Sequence, residues 1–257
     1  MKSVSVKNLM IGEGIPKICV PITGRNISEI KNQFNNVDFR TADLIEWRAD
    51  FFDDVFDKDA VREAMGIMVE TSVGDNSCHP LLVTFRTKNE GGEKSISPAE
   101  YVSFYENVID SGLADLIDLE LFFYKESVNQ LLIHAHEKNV KVIMSNHDFE
   151  KTPEKSEILS RLISMQSLGA DITKIAVMPQ STADVITLLD ATREMHELHA
   201  DRPLITMSMG KLGVISRISG ELFGSAITFG AVGSTSAPGQ MDAINLKAVL
   251  EILHGYM

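Results

Sequence analysis

Ile172-Thr173-Lys174-Ile175-Ala176-Val177-Met178 is a short apolar run rich in β-formers, and Ser181-Thr182-Ala183-Asp184 follows it closely. The second stretch has a hydroxyl at the N-cap position and an acid three residues later, the signature of a helix start. Val185, Leu188, Leu189 and Ala191 then recur at near-helical spacing. A strand followed directly by a helix is half of a βαβ unit. The same unit can be read outward in both directions. The strand-like runs are Lys17–Thr23, Leu44–Asp50, Leu81–Thr87, Leu116–Leu121, Lys141–Asp148, Ile172–Met178, Leu204–Met209 and Ala226–Gly230, eight in all. Helix-like segments lie between them. Ser97-Pro98-Ala99-Glu100 is a second clear helix start, and Gly112 and Gly169 stand where helices stop. Strands that alternate with helices pair in parallel through right-handed crossovers. Eight such units favour a closed (β/α)8 TIM barrel over an open doubly wound sheet. Val4–Gly12 falls outside the count and is expected to form an N-terminal β-hairpin closing the barrel bottom. No linker or low-complexity tract interrupts the chain, so residues 1–257 are expected to form a single barrel domain.

Composition narrows the functional classes. Of 257 residues, 44% are hydrophobic and 23% charged, as in ordinary globular proteins. The formal net charge of -12 argues against nucleic acid as a partner. An anionic substrate must therefore be met by locally placed arginines. No apolar run is long enough to span a bilayer, and Met1–Lys7 alternates polar and apolar residues without a signal-peptide core. Cys19 and Cys78 are too few for a disulfide framework, so the expected compartment is the reducing cytoplasm.

The strands carry polar residues on one face. Successive strand side chains point to opposite sides. Glu46 and Arg48 therefore share a face against Ile45, Trp47 and Ala49; Thr84 and Arg86 oppose Val83 and Phe85; Asp118 and Glu120 oppose Ile117 and Leu119; Ser145 and His147 share a face; Lys174 opposes Thr173 and Ile175. The outer face of a barrel strand packs on helices, so the polar set points inward. Lysine is rarely buried unless paired or used, and desolvation pushes an ammonium toward the neutral, nucleophilic amine. A structural ion-pair network would leave the same mark for each charge taken singly. Convergence on one enclosed volume favours a site.

Active sites of these barrels open at the C-terminal strand ends. His147 ends the fifth run, and Glu90 follows the third in Glu90-Gly91-Gly92. With Lys174 they make a coherent set: an amine nucleophile for a carbonyl, an acid/base, and a carboxylate to orient it. His79, His134, His136, His196, His199 and His254 read as solvated or half-buried side chains. No His/Cys/Asp/Glu cluster has metal spacing, so no metal is expected. The glycines of Gly210-Lys211-Leu212-Gly213 read as a mobile loop rather than a phosphate cradle.

Several stretches taken together resemble the type I 3-dehydroquinate dehydratases of the shikimate pathway. They are Glu46-Trp47-Arg48-Ala49-Asp50, Thr84-Phe85-Arg86-Thr87 with Glu90-Gly91-Gly92, Asp118-Leu119-Glu120, and Ile143-Met144-Ser145-Asn146-His147-Asp148-Phe149. Lys174-Ile175-Ala176-Val177-Met178-Pro179, Met207-Ser208-Met209-Gly210, Ser216-Arg217, Phe223-Gly224-Ser225 and Ser236-Ala237-Pro238-Gly239-Gln240 continue the series. The resemblance implies dehydration of 3-dehydroquinate to 3-dehydroshikimate by syn elimination. Lys174 forms an imine, His147 moves the protons and Glu90 pairs with His147; no cofactor is implied. It further implies that Glu46-Trp47-Arg48 and Arg86 contact the substrate ring. Arg217 holds the substrate carboxylate, and Ser236 and Gln240 close over it from the loop after the eighth strand. Met207, Met209 and Phe229 form pocket walls. Relatives often carry a serine near the end of strand one; here the position is Pro21, which offers no hydroxyl or N–H, and Thr23 is the nearby substitute. The family implies a homodimer. Two other readings remain at this stage: a class I aldolase, which uses the same strand-six lysine for carbon–carbon cleavage, and a non-catalytic barrel scaffold.

Overall fold

The computed structural model describes residues 3–73, 79–233 and 237–257. All eight runs are strands: β3 (Lys17–Ile22), β4 (Leu44–Arg48), β5 (Leu81–Thr84), β6 (Leu116–Glu120), β7 (Lys141–Asp148), β8 (Ile172–Val177), β9 (Leu204–Ser208) and β10 (Ile227–Ala231). They pair in parallel in the order β10-β3-β4-β5-β6-β7-β8-β9. A Leu204/Ser225 bridge and a bond from the Ala226 N–H to Leu204 O at 2.8 Å bring β9 back to the start of β10. The expected (β/α)8 arrangement is therefore present. β1 (Val4–Val6) and β2 (Leu9–Ile11) form the antiparallel hairpin. Lys7 fixes it at the N-terminal strand ends, through Asp115 at 2.8 Å and the His79 carbonyl at 3.3 Å. A two-residue strand, β11 (Met241–Asp242), pairs with β10 after the last loop and was not expected.

Helices follow the strands: α1 (Ile27–Asn35), α2 (Lys58–Val73), α3 (Pro98–Asp110), α4 (Lys125–Glu137), α5 (Lys155–Leu168), α6 (Thr182–Glu194), the short α7 (Val214–Ile218) and α8 (Gly220–Phe223), and α9 (Ala243–His254). Both helix starts read from sequence are capping boxes. Ser97 and Glu100 satisfy each other's backbone N–H groups at the head of α3, and Ser181 and Asp184 do so for α6. Gly169 ends α5 at φ +99°, a left-handed value that most side chains resist.

The period of two builds two cores. Outward residues such as Val20, Trp47, Phe85, Leu119, Met144 and Ile175 pack beneath the helices. Inward residues form layers. Cys19, Leu44, Leu82, Leu116, Ile143, Ile172, Ile205 and Ile227 make an apolar plug on which Val6 and Ile11 of the hairpin rest. Each such buried aliphatic side chain contributes about 1.5–3 kcal/mol. One step toward the C-terminal ends the interior turns polar, with Glu46, Thr84, Asp118, Ser145 and Lys174 all buried. The register places Thr84 beside Asp118, and Ser145 beside Lys174. The next step carries Arg48, Arg86, Glu120 and His147 toward the mouth.

Candidate active site

Lys174 is 3% exposed at the centre of β8. Its Nζ lies 3.0 Å from Asp118 Oδ2 and 3.9 Å from Glu46 Oε1, and 4.7 Å from the centroid of the Phe229 ring. Asp118 also meets Arg86 Nη2 at 2.7 Å and accepts from Ser145 Oγ at 2.5 Å. Burial works against the Asp118 charge, but Arg86, Lys174 and the Ser145 hydroxyl outweigh it and hold the carboxyl well below its ordinary range. Arg86 further bonds Glu120 Oε1 at 2.9 Å, and Glu120 accepts from the Thr87 N–H and hydroxyl at 2.8 and 2.7 Å. Burial opposes the Arg86 charge too, yet its carboxylate partners raise it above the usual guanidinium value. The interior charges are thus paired, which is what makes their burial tolerable.

Glu90 sits in a single 3₁₀ turn, Lys88–Glu90, that follows β5 and reaches across to β7. Gly91 lets the chain turn back at φ +82° beneath Phe149, and a side chain at Gly92 would collide with the Arg86 carbonyl. The turn delivers Glu90 Oε2 to His147, 3.0 Å from Nδ1 and 2.9 Å from the backbone N. Asn146 Nδ2 donates to Glu90 Oε1 at 3.0 Å, and Arg86 Nη1 stands 3.6 Å from Oε2. Burial first, then the charge of Glu120, pushes Glu90 up to about 8, against the pull of Arg86 and the Asn146 and His147 donors. Burial, then Arg86 and Lys174, drive the His147 imidazole well below its ordinary value. His147 is therefore neutral with Nδ1 engaged by Glu90, and once Glu90 is ionised it takes the Nδ1–H, which leaves the Nε2 lone pair to work on a substrate.

These groups wall one cavity at the C-terminal strand ends. Its lining includes Glu46, Arg48, Arg86, Glu90, His147, Lys174, Met207, Met209, Phe229 and Gln240, all expected from sequence, together with Gly91, Phe149, Ala176 and Ala237, which were not. Arg48 is clamped by Asp50, with Nε to Oδ1 and Nη2 to Oδ2 both at 2.8 Å. Arg217, from α7, stands just behind the lining. Its Nη1 is 4.0 Å from Met207 Sδ and its Nη2 donates to Pro238 O at 3.0 Å. Among the described residues no carboxylate pairs with it, Nε has no partner, and burial lowers it to about 10. A buried guanidinium without an acid is a place for an anion.

Three expected contacts need separate statements. Trp47 is corrected: it is fully buried on the outer face of β4, edge-on to Phe52 at 5.8 Å, and does not reach the cavity. Strand alternation dictates that placement, since its neighbours Glu46 and Arg48 occupy the inner face. Thr23 is engaged by Gln33 of α1, which accepts its N–H at 2.8 Å, and it does not line the cavity. Ser236 lies outside the described residues. Among the described residues, no group of His, Cys, Asp and Glu side chains is arranged to hold a metal ion. No helix among them is long and apolar enough to cross a membrane.

Comparison with known proteins agrees with this geometry. Residues 18–257 match the family described as type I 3-dehydroquinase. The 3-dehydroquinate dehydratase of Bacillus licheniformis is 52% identical, covering 98% of each chain. That of Salmonella choleraesuis is also 52% identical over 99% of each. Among solved structures, the type I 3-dehydroquinate dehydratase of Clostridium difficile with covalently modified comenic acid superposes with a TM-score of 0.94 at 51% identity, covering 100% of this chain and 99% of that one. The 3-dehydroquinate dehydratase of Geobacillus kaustophilus gives the same score at 38% identity, over 99% and 97%. With the lysine, the histidine–glutamate pair and the buried guanidinium gathered at one barrel mouth, this chain belongs to the type I 3-dehydroquinase family.

Proposed function

We propose that the chain is a hydro-lyase that converts 3-dehydroquinate to 3-dehydroshikimate and water through an imine on Lys174. The observation that carries the reading is one cavity walled by Lys174 and by the His147–Glu90 pair, with a buried guanidinium behind it. One Lys174 proton passes to His147, the freed amine adds to the ring ketone, and that proton returns to the departing oxygen, so that loss of water leaves a cationic iminium. Asp118, 3.0 Å from Nζ, faces that positive charge and stabilises it. The iminium withdraws electrons from the adjacent carbon, which makes its C–H acidic. His147 Nε2 takes this proton while Glu90 faces the imidazolium that forms at Nδ1. The enamine electrons then expel the neighbouring hydroxyl, and the same imidazolium protonates it as it leaves as water. One histidine acting on one face gives syn elimination. Water hydrolyses the imine and frees Lys174.

Substrate seating follows from the charges. Arg217 takes the carboxylate, with Gln240 of the last loop beside it. Glu46, Arg48 and Arg86 meet the ring hydroxyls, and Met207, Met209 and Phe229 supply apolar walls. The reading requires no metal or organic cofactor. It places the working protein as a cytoplasmic homodimer, for which sedimentation at twice the chain mass is the test. The decisive experiment mixes the protein with 3-dehydroquinate and borohydride. Enone absorbance should rise without borohydride, and a reduced adduct should map to Lys174 by peptide mass. Lys174→Ala should show neither. A folded parent protein that gives no adduct would overturn the reading.

A further inference from the structure

Glu90 is held from a direction that the reaction does not use. Asn146 belongs to β7 but points away from the barrel interior, opposite to Ser145 and His147. It is 4% exposed, and its amide bridges two elements. Nδ2 donates to Glu90 Oε1 at 3.0 Å, and Oδ1 accepts from Arg161 Nη1 of α5 at 2.8 Å. Arg161 is itself fixed. Its Nε donates to Glu157 Oε1 at 2.8 Å, and its guanidinium lies over the Phe122 ring at 5.4 Å. A guanidinium only donates, so it forces the Asn146 oxygen toward itself and the Asn146 N–H₂ toward Glu90. Glu90 Oε1 then has to accept, and Oε2 is the oxygen turned to His147 and Arg86.

We propose that Arg161 and Asn146 are positioning residues for the dehydration, a relay from the helix layer that orients the Glu90 carboxylate so that it takes the Nδ1–H of His147. The proposal rests on the imine reading for its kinetic consequence, but not for its structural one. A donor bonds the ionised carboxylate more strongly than the neutral acid, so each donor favours the charge on Glu90 against burial and against Glu120. The charged and titratable groups around the pair are Arg86 on the β5 side, Asp118 and Glu120 from β6, Arg48 from β4 and Lys174 from β8. None of them is touched by Arg161, whose bonds go to Asn146 and Glu157.

The test uses Arg161→Met, which keeps the stem on Phe122 but removes the donor, Asn146→Leu, and Arg161→Lys, which restores a donor. Nitrogen-15 spectra of the seven histidines, with His147→Ala for assignment, follow the pH at which His147 settles with its proton on Nδ1. In Arg161→Met and Asn146→Leu this midpoint should rise by about one unit, tenfold in protonation. The acid limb of kcat/KM should move by the same amount, with borohydride trapping at saturating substrate unchanged. Arg161→Lys should return part of both shifts. An unmoved midpoint, or an activity loss equal at every pH, overturns the proposal. The spectra need no turnover, so an inactive parent would refute the dehydratase reading while the relay was still judged.

Discussion

Replacing Glu90 by glutamine should make the protein more stable at alkaline pH while impairing it as an enzyme. Glu90 is 7% exposed and titrates near 8, against an ordinary glutamate value of 4.5. His147, 3.0 Å away, is displaced downward. Between 4.5 and 6.5 the folded pair holds its proton on Glu90, and the unfolded chain holds one on the free histidine. Proton counts match, so stability is flat there. Above 6.5 the unfolded histidine is empty, while the folded pair keeps its proton until about 8. The native state then binds more protons, and stability falls as pH rises. The window spans about 1.5 units at about 1.4 kcal/mol each, a loss of roughly 2 kcal/mol. Glu90→Gln has no such proton and should be flat from 6.5 to 8. Urea unfolding at half-unit steps across that interval reads the difference. Curves that stay parallel would refute the argument, because they would mean that burial does not raise Glu90. Turnover by the variant should fall by about a hundredfold, since the imidazolium loses its counter-charge.

Three other substitutions test separate parts of the site. His147→Ala should lower turnover by about 10²–10⁴-fold yet still give the borohydride adduct; retained turnover would remove its proton-transfer role. Arg217→Ala should raise the apparent Michaelis constant by about 10–100-fold, the loss of a charged hydrogen bond, with a smaller effect on kcat. An unchanged constant would take Arg217 out of carboxylate binding. Asp118→Asn should destabilise the fold by about 3–5 kcal/mol, because Arg86 and Lys174 lose a shared counter-charge. The native Asp118 is held low, so its stabilisation is complete above the ordinary aspartate value and disappears as pH falls below it. The variant should therefore lose less stability than the parent on acidification from pH 5 to 3.

Strand alternation made most of the cavity legible, since a period of two leaves no choice about which side a residue faces. Periodicity alone puts Glu46, Arg48, Arg86, Asp118, His147 and Lys174 inside. It also placed Trp47 outside, and only the weight of the surrounding motif drew Trp47 into the expected contacts. What alternation cannot supply is how far a turn travels. The reach of Glu90 from the end of β5 to β7 depends on Gly91 and Gly92 folding the chain under Phe149 and against the Arg86 carbonyl. Asn146 and Arg161 were missed for the same reason. Their side chains belong to the helix layer by periodicity, and Asn146 meets Glu90, carrying the Arg161 contact with it, only because that turn crosses the top of the barrel.

The pairing of Lys174 with Asp118 bears on why a lysine suits this position. Ammonium and iminium carry the same charge. Asp118, wedged between Arg86 and Lys174, faces a cation both in the resting site and when the substrate is bound as the iminium. The network in the polar layer therefore need not rearrange as the covalent bond forms, and its field is already aligned with the state that must draw electrons from the substrate. The exposed side of the site behaves oppositely. His147 changes charge during the cycle, and it is the group whose partner, Glu90, sits on a turn rather than on a strand. Fixed charge lies on rigid β-structure at the barrel centre, and changing charge lies at the mouth, where a turn, an amide and a helix arginine tune it.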